Sequence, residues 1–141
     1  MTKAKPKTRG KASPVAPPSR AVAGVTRTVD RYAVGLMNGD VATLKKAFRP
    51  EAVVSGYIGD EQFVKPVQFL YDFMKENDSP AKRGDPFKCE VLSIEIAGST
   101  ATVQLAEQAY LDFDYRTSLH LIRMGRSWWI VSKLFNGTAM K

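Results

Sequence analysis

Between residues 25 and 37 the apolar side chains recur at helical spacing. Val25, Val29, Tyr32, Ala33, Leu36 and Met37 fall on one stripe, which predicts an amphipathic helix. Asn38-Gly39 ends it, since both residues tolerate a left-handed C-terminal turn. Asp40 is placed to cap a second, short helix running through Leu44 to Phe48, which Pro50 closes. Residues 52–57 read as a strand, with Gly56 and Gly59 marking a bend. Pro66 is placed to open a third helix, whose stripe of Val67, Leu70, Tyr71 and Met74 is widened by Phe69 and Phe73. Residues 77–86 are polar and read as a loop.

The remainder has strand character. Residues 87–97, 100–111, 115–124 and 128–135 are rich in β-branched and aromatic side chains, with turns at Gly98-Ser99 and Gly125-Arg126. Helices followed by four successive antiparallel strands predict an α+β domain, with the helices on one face of the sheet. The last strand lacks a clean alternation. Trp128, Ile130 and Leu134 fall on one face by count, and Trp129, Val131 and Phe135 on the other. A sheet apolar on both faces must be covered on both. Helices cover one, and a second copy of the same sheet is the simplest cover for the other, which predicts a twofold homodimer through the outer sheet face.

Charge changes the picture at the N-terminus. Six of the 21 basic residues (Lys3, Lys5, Lys7, Arg9, Lys11 and Arg20) lie within residues 1–21, with four prolines and no acid. That segment cannot bury enough apolar surface to offset its ordering entropy and is expected to be a disordered tail. The domain is then expected over residues 22–137, with 138–141 as a short C-terminal tail. Outside the basic tail 15 basic residues face 14 acidic ones, so the high pI belongs to the tail. A folded nucleic-acid reader carries its charge on the docking face. Nucleic acid is therefore expected to make at most weak contact through the tail. No apolar run reaches the ~20 residues a membrane span needs. The single cysteine, Cys89, permits no internal disulfide and no cysteine cluster, and its strand position suits a small buried hydrophobe. A cytoplasmic location is expected.

The run from Tyr32 through Asp40, then Leu44, Ala47-Phe48-Arg49-Pro50-Glu51-Ala52 and Gly56, resembles the opening of the putative lumazine-binding family. That family belongs to the nuclear transport factor 2-like superfamily. Its closing pattern is similar to Trp128, Ile130, Lys133 and Phe135. In the penultimate strand, where the family often carries an Asp-Tyr pair, this chain has Thr117-Ser118, with Asp114-Tyr115 three residues earlier. The resemblance implies a cone-shaped fold: three N-terminal helices on a curved, mainly antiparallel sheet, wrapped round a pocket and usually dimeric. The family's name does not by itself carry lumazine or flavin binding to this chain.

Candidate chemistry follows from that pocket. Tyr32 lies mid-stripe, so its buried hydroxyl needs a partner. It is a core tyrosine bonded to a backbone carbonyl, or the counterpart of the tyrosine that steadies the developing oxyanion in ketosteroid isomerases, which share this fold. Those relatives also need a carboxylate base, and the matching position here is Gly56, so the base is missing. Glu107 falls on the apolar face of its strand with Ala101, Val103 and Leu105. Such a carboxylate is turned to solvent by a bulge, paired with Arg116 or Arg123, or a general base. His120, the only histidine, could pair with Glu107 or be an ordinary strand residue at the dimer face. One histidine with no second ligand at metal spacing predicts no metal site, and no Gly-rich phosphate loop is present, so no cofactor is expected. Tyr32, Leu36, Phe48, Tyr57, Phe63, Phe73, Tyr110 and Trp128 are the expected pocket wall, suited to a flat ligand. The reading is a dimeric domain for an unidentified small molecule. An isomerase-, dehydratase- or cyclase-like enzyme using Tyr32, Glu107 and His120 is one alternative, and a protein-interaction domain another.

Overall fold

The computed structural model describes residues 19–141. Lys3, Lys5, Lys7, Arg9 and Lys11 of the expected basic tail, and with them its weak nucleic-acid contact, lie outside the described residues. Helix α1 (Arg20–Asn38) takes in Arg20 and Ala21, which the sequence assigned to the tail. Ser19 caps it by accepting a hydrogen bond from the Val22 N–H at 3.0 Å. It ends at Gly39, whose φ of 64° is the left-handed turn expected there. Helix α2 (Val41–Leu44) is capped by Asp40, whose carboxylate accepts from the Thr43 N–H.

Here the structure departs from the expected course. The chain has already become strand β1 (Phe48–Ile58) where a helix was to continue to Phe48 and Pro50 to close it. Pro50 is tolerated because β1 has no partner on its parallel neighbour between Phe48 and Val53, so no ladder bond needs its missing N–H. A short hairpin strand unforeseen in the sequence follows, β2 (Glu61–Pro66), exposed along most of its length. Pro66 ends this strand, and α3 (Gln68–Glu76) starts two residues later. Within the expected loop, Ser79 caps a single turn, α4 (Pro80–Arg83).

Strands β3 (Lys88–Ala97), β4 (Thr100–Tyr110), β5 (Phe113–Met124) and β6 (Ser127–Ala139) form the expected antiparallel meander. Strand β6 runs two residues beyond the expected domain end. The sheet order is β2-β1-β6-β5-β4-β3, with β1 parallel to β6 and every other pair antiparallel. The fold is thus α+β, an open six-stranded sheet with its helices on one face. Its core comprises Val25, Val29, Tyr32 and Leu36 of α1, Leu44, Leu70 and Met74, against Val103, Leu105, Leu119, Leu121 and Ile130 of the sheet. Each large aliphatic side chain fully buried there contributes about 1.5–3 kcal/mol.

Two bulges decide which side chains meet the core. In β6, Ser132 pairs with His120 while Ile130 pairs with Leu121, so Val131 is an extra residue and the alternation flips. Trp128 and Ile130 are buried before it, and Lys133 and Phe135 after it. Counted without the bulge, Leu134 joined Trp128 and Phe135 joined Trp129; in the structure Leu134 is exposed and Phe135 buried. In β4 the register shifts between Glu107 and Tyr110, with Ala109 at φ 58°. Tyr110, expected in the pocket wall, is thereby turned inward with Glu107. No helix of the described residues is long and apolar enough to cross a membrane.

Candidate functional site

A cleft opens between the helices and the covered face of the sheet. Leu36 of α1 and Phe69, Leu70 and Phe73 of α3 form one wall. Val54 and Ile58 of β1, Phe135 of β6 and Tyr110 and Tyr115 form the other, with Glu107 and Lys133 as its two charged groups. It encloses ≈ 510 Å³ of atom-free space when its open mouth is counted. The cleft is a narrow slot, suited to a flat, compact ligand. Edge-on contacts order its aromatic wall: Tyr110 meets Phe87 at 5.7 Å and Tyr115 at 6.3 Å, and Tyr115 meets Phe135 at 6.1 Å.

At its base lies a hydrogen-bonded carboxyl. Glu107 is 3% exposed, and both its oxygens are engaged. The Tyr32 hydroxyl donates to Oε2 at 2.6 Å, and the Thr117 hydroxyl donates to Oε1 at 2.5 Å. Neither expected arginine partner reaches it: Arg116 and Arg123 are exposed, and the bulge begins one residue too late to turn Glu107 outward. Tyr32 is fully buried, so desolvation, reinforced by the charge and hydrogen bond of Glu107, holds its phenol well above the ordinary tyrosine range. It is therefore a neutral donor.

Lys133 completes the arrangement. It is 8% exposed and, among the described residues, has no carboxylate in ion-pairing distance. Its Nζ stands over the rings of Tyr32 and Phe135, 5.2 Å and 5.6 Å from their centroids. Desolvation lowers its pKa, opposed by the nearby charge of Glu107. Cys89 faces Glu107 across the β3–β4 ladder, and burial pushes its thiol up to about 12, a small hydrophobe rather than a nucleophile.

The expected site residues separate into groups. Leu36, Phe73 and Tyr110 line the cleft, and Tyr32 sits behind it on Glu107. Phe48 packs behind Tyr32, ring centroids 6.0 Å apart, in the core. Trp128 is also core, its carbonyl accepting from Thr28 at 2.8 Å. Tyr57 is exposed on the opposite face, while Phe63 stacks on Phe69 at 5.1 Å and borders the groove on that face. His120 does not pair with Glu107. It is exposed on the open face, level with Thr102 and Ser132, because the parity of β5 turns Thr117, Leu119 and Leu121 inward. Among the described residues no group of three His, Cys, Asp or Glu side chains could hold a metal ion.

Gly56 explains why the isomerase-type base is missing. Its φ is 145°, and a Cβ there would lie 1.8 Å from the Phe135 carbonyl oxygen. No side chain fits, so any carboxylate must come from elsewhere, and in this chain Glu107 comes from β4. Lys133, Tyr115, Phe69 and Thr117 escaped the sequence reading. For Lys133 a signal existed: with a bulge at Val131, it alternates with Phe135 onto the buried face.

Comparisons with known proteins bear on the fold and the family. The chain is similar to the aldolase FrzH of Cladobotryum sp., 26% identical over 113 residues that cover 79% of this chain and 87% of that one. It superposes on an NTF2-like protein from Methylobacillus flagellatus with a TM-score of 0.79 at 24% identity, covering 92% of this chain and 100% of that one. An NTF2-like protein from Shewanella baltica gives 0.76 at 20% identity, covering 86% and 96%. The CaMKII hub of S. rosetta gives 0.62 at 16% identity, covering 92% and 100%. These solved structures establish the NTF2-like fold. The model of one family matches residues 20–136, nearly all of the described chain, and the protein accordingly belongs to the putative lumazine-binding family, a group of small-molecule-binding domains.

Proposed function

We propose that this domain binds a compact, largely apolar carbonyl compound in the cleft, and that Glu107 moves a proton at the carbon beside the carbonyl. One observation carries the reading: a buried carboxyl, steadied by Tyr32 and Thr117, at the base of a largely apolar slot. A carboxyl so fixed and shielded from water is the usual form of a general base acting on a carbon acid. Resemblance to a protein named an aldolase supports it, because an aldol reaction begins by removing such a proton. Tyr32 and Thr117 are positioning residues in this scheme. The compound's ring or chain is held between α3 and Phe135, with its carbonyl towards Glu107 and Lys133.

The test uses phenylacetone and cyclohexanone as probes, with the exchange of their α-hydrogens for deuterium followed by NMR. The wild-type protein is expected to accelerate exchange, and Glu107→Gln to lose about 10²-fold or more of the acceleration. Equal rates for a folded Glu107→Gln protein would refute the assignment of the base.

The domain works, on this reading, as a cytoplasmic homodimer. Val53, Tyr57, Val64 and Leu134 expose apolar surface on the open face of the sheet, around a groove floored by β1, β2, β5 and β6. Such a patch favours a second copy as its cover. Light scattering should report a dimer for the wild type and a monomer for Leu134→Glu. A wild-type monomer at micromolar concentration would overturn this part.

A further inference from the structure

We infer that Lys133 is a nucleophile: its Nζ adds to the carbonyl carbon of the bound compound and forms a Schiff base, so the cleft takes aldehydes and ketones rather than acids. The inference deepens the proposed function and rests on that reading of the cleft.

Three observations carry it. The first is isolation. A buried lysine ordinarily has a carboxylate partner, because an unpaired charge is costly away from water. Among the described residues Lys133 has none within ion-pairing distance, and both oxygens of the carboxyl that shares its cleft accept from hydroxyls instead. The second is the company it keeps. An anion-binding site gathers several cations or an arginine fork. This cleft offers one amine, no arginine or histidine, and a carboxyl that would repel an anion. A neutral, polarisable group such as a carbonyl suits that pair better than a carboxylate or phosphate does. The third is the surroundings. The Nζ lies between the faces of Tyr32 and Phe135 in a narrow, apolar slot, where desolvation favours the uncharged amine over the ammonium ion.

The step balances without any oxidant or reductant. A new C–N bond forms as the nitrogen lone pair adds to the carbonyl carbon, and the π electrons of the carbonyl pass to oxygen. Starting from the ammonium form, the nitrogen gives up two protons and the oxygen receives both. The C–O bond then breaks and the oxygen leaves as water, so the products are a protonated imine and one water molecule. Glu107, in the same cleft, is the group placed to carry these protons. The positive imine acidifies the adjacent C–H, and the same carboxyl then removes that proton to leave an enamine. Lys133 and Glu107 thus act in sequence on neighbouring atoms of one substrate.

The experiment incubates the full-length protein with phenylacetone or cyclohexanone and sodium cyanoborohydride, then locates the reduced adduct by intact mass and peptide mapping. The expected result is one saturable adduct on Lys133, absent from Lys133→Met and from Lys133→Arg. The arginine variant separates the roles, because it keeps a positive charge but cannot form the imine. Its α-hydrogen exchange should fall with that of Lys133→Met. Exchange that depends on Glu107, survives in Lys133→Arg and leaves no adduct would overturn the Schiff base while the cleft reading stands. Adducts spread evenly over surface lysines would also overturn it. Neither exchange nor adduct would overturn both. Should the variants not fold, the adduct map of the wild type decides alone.

Discussion

Removing one oxygen atom tests the base of the cleft. In Tyr32→Phe the ring remains, with its contact to Phe48 at 6.0 Å and its place beneath Lys133 at 5.2 Å. What disappears is the hydroxyl that donates to Glu107 Oε2 at 2.6 Å. No second donor reaches that oxygen, and Glu107 is too deeply buried for bulk water to replace the bond freely. Hydrogen bonds to a charged group contribute about 1.5–3 kcal/mol, and a buried acceptor left bare loses that in full. A stability loss of about 2 kcal/mol is therefore expected, roughly 8 °C in melting temperature for a domain of this size. Urea denaturation at fixed protein concentration measures it as a shift in midpoint with an unchanged slope. Thr117→Val removes the donor to Oε1 in nearly the same shape, and the double variant strips the carboxyl entirely. Its loss should exceed the sum of the single losses, with a coupling of about 0.5 kcal/mol or more. A loss below about 0.5 kcal/mol for Tyr32→Phe would refute the reasoning, because a hydrogen bond made to a buried carboxyl cannot be worth so little.

Other expectations follow from the same residues. Lys133→Met should raise stability by about 1 kcal/mol or more, since a buried, unpaired amine gives way to an apolar chain of similar length; a lower urea midpoint would contradict this. The difference has a defined pH dependence, with Glu107, Cys89 and Tyr32 as the titratable groups facing the amine. The folded pKa of Lys133 is lowered, so its penalty is full below that value and fades as pH rises towards the ordinary 10.5; the advantage of Lys133→Met must shrink over that window. The buried tyrosines act in the opposite sense: Tyr71 and Tyr115 are pushed up to about 12 by burial, and Tyr32 and Tyr110 are also raised. Stability should fall as pH climbs from 10.0 towards 12, with most phenol ionisation coinciding with unfolding; ionisation of these tyrosines in a protein that stays folded would count against their burial. Gly56→Asp would supply a carboxylate where ketosteroid isomerases hold theirs, yet it is expected to lose about 3 kcal/mol or more and gain no activity, because the Phe135 carbonyl occupies the place of its Cβ. A soluble Gly56→Asp protein melting like the wild type would show that β1 and β6 can part.

Much of the architecture was legible because it rests on signals that act locally. The stripe of α1, its end at Gly39, the cap at Asp40 and the meander of β3 to β6 all follow from period and turn chemistry. What escaped was set by distant partners. Strand β2 is short and exposed, and Phe63-Val64 alone are too brief a run to mark it apart from a loop; it is a strand because β1 lies beside it. Pro50 signals a helix end only if the chain continues helical to it, whereas the pairing of Phe48 with Ile130 has already drawn the segment into the sheet. The site was half legible. Tyr32 and Glu107 announce themselves as polar groups at apolar positions, but their bond spans 75 residues, and no spacing rule connects α1 with β4. His120 looked like the natural partner because it shares the next strand. The parity of β5 sends it to the other side.

The misread facing of the last strand traces to its bulge, and a second bulge shapes the cleft. A strict two-residue period places Lys133 outside the cleft and Leu111 inside it, which would describe an apolar slot holding one carboxyl. One extra residue at Val131 exchanges Leu134 for Lys133, and another between Glu107 and Tyr110 swings the Tyr110 ring into the wall. Without these irregularities the cleft would lose its amine and part of its aromatic lining, while the α1 stripe and most of the sheet core stayed as they are. Bulges re-aim side chains at small cost to the rest of a ladder, so a fold can acquire chemistry without being rebuilt. The consequence for Lys133 is specific. Its place on the covered face is set by the backbone register that also buries Ile130 and Phe135. Desolvation on that face lowers the pKa of the amine, which favours the form that can attack a carbonyl, while the charge of Glu107 opposes it.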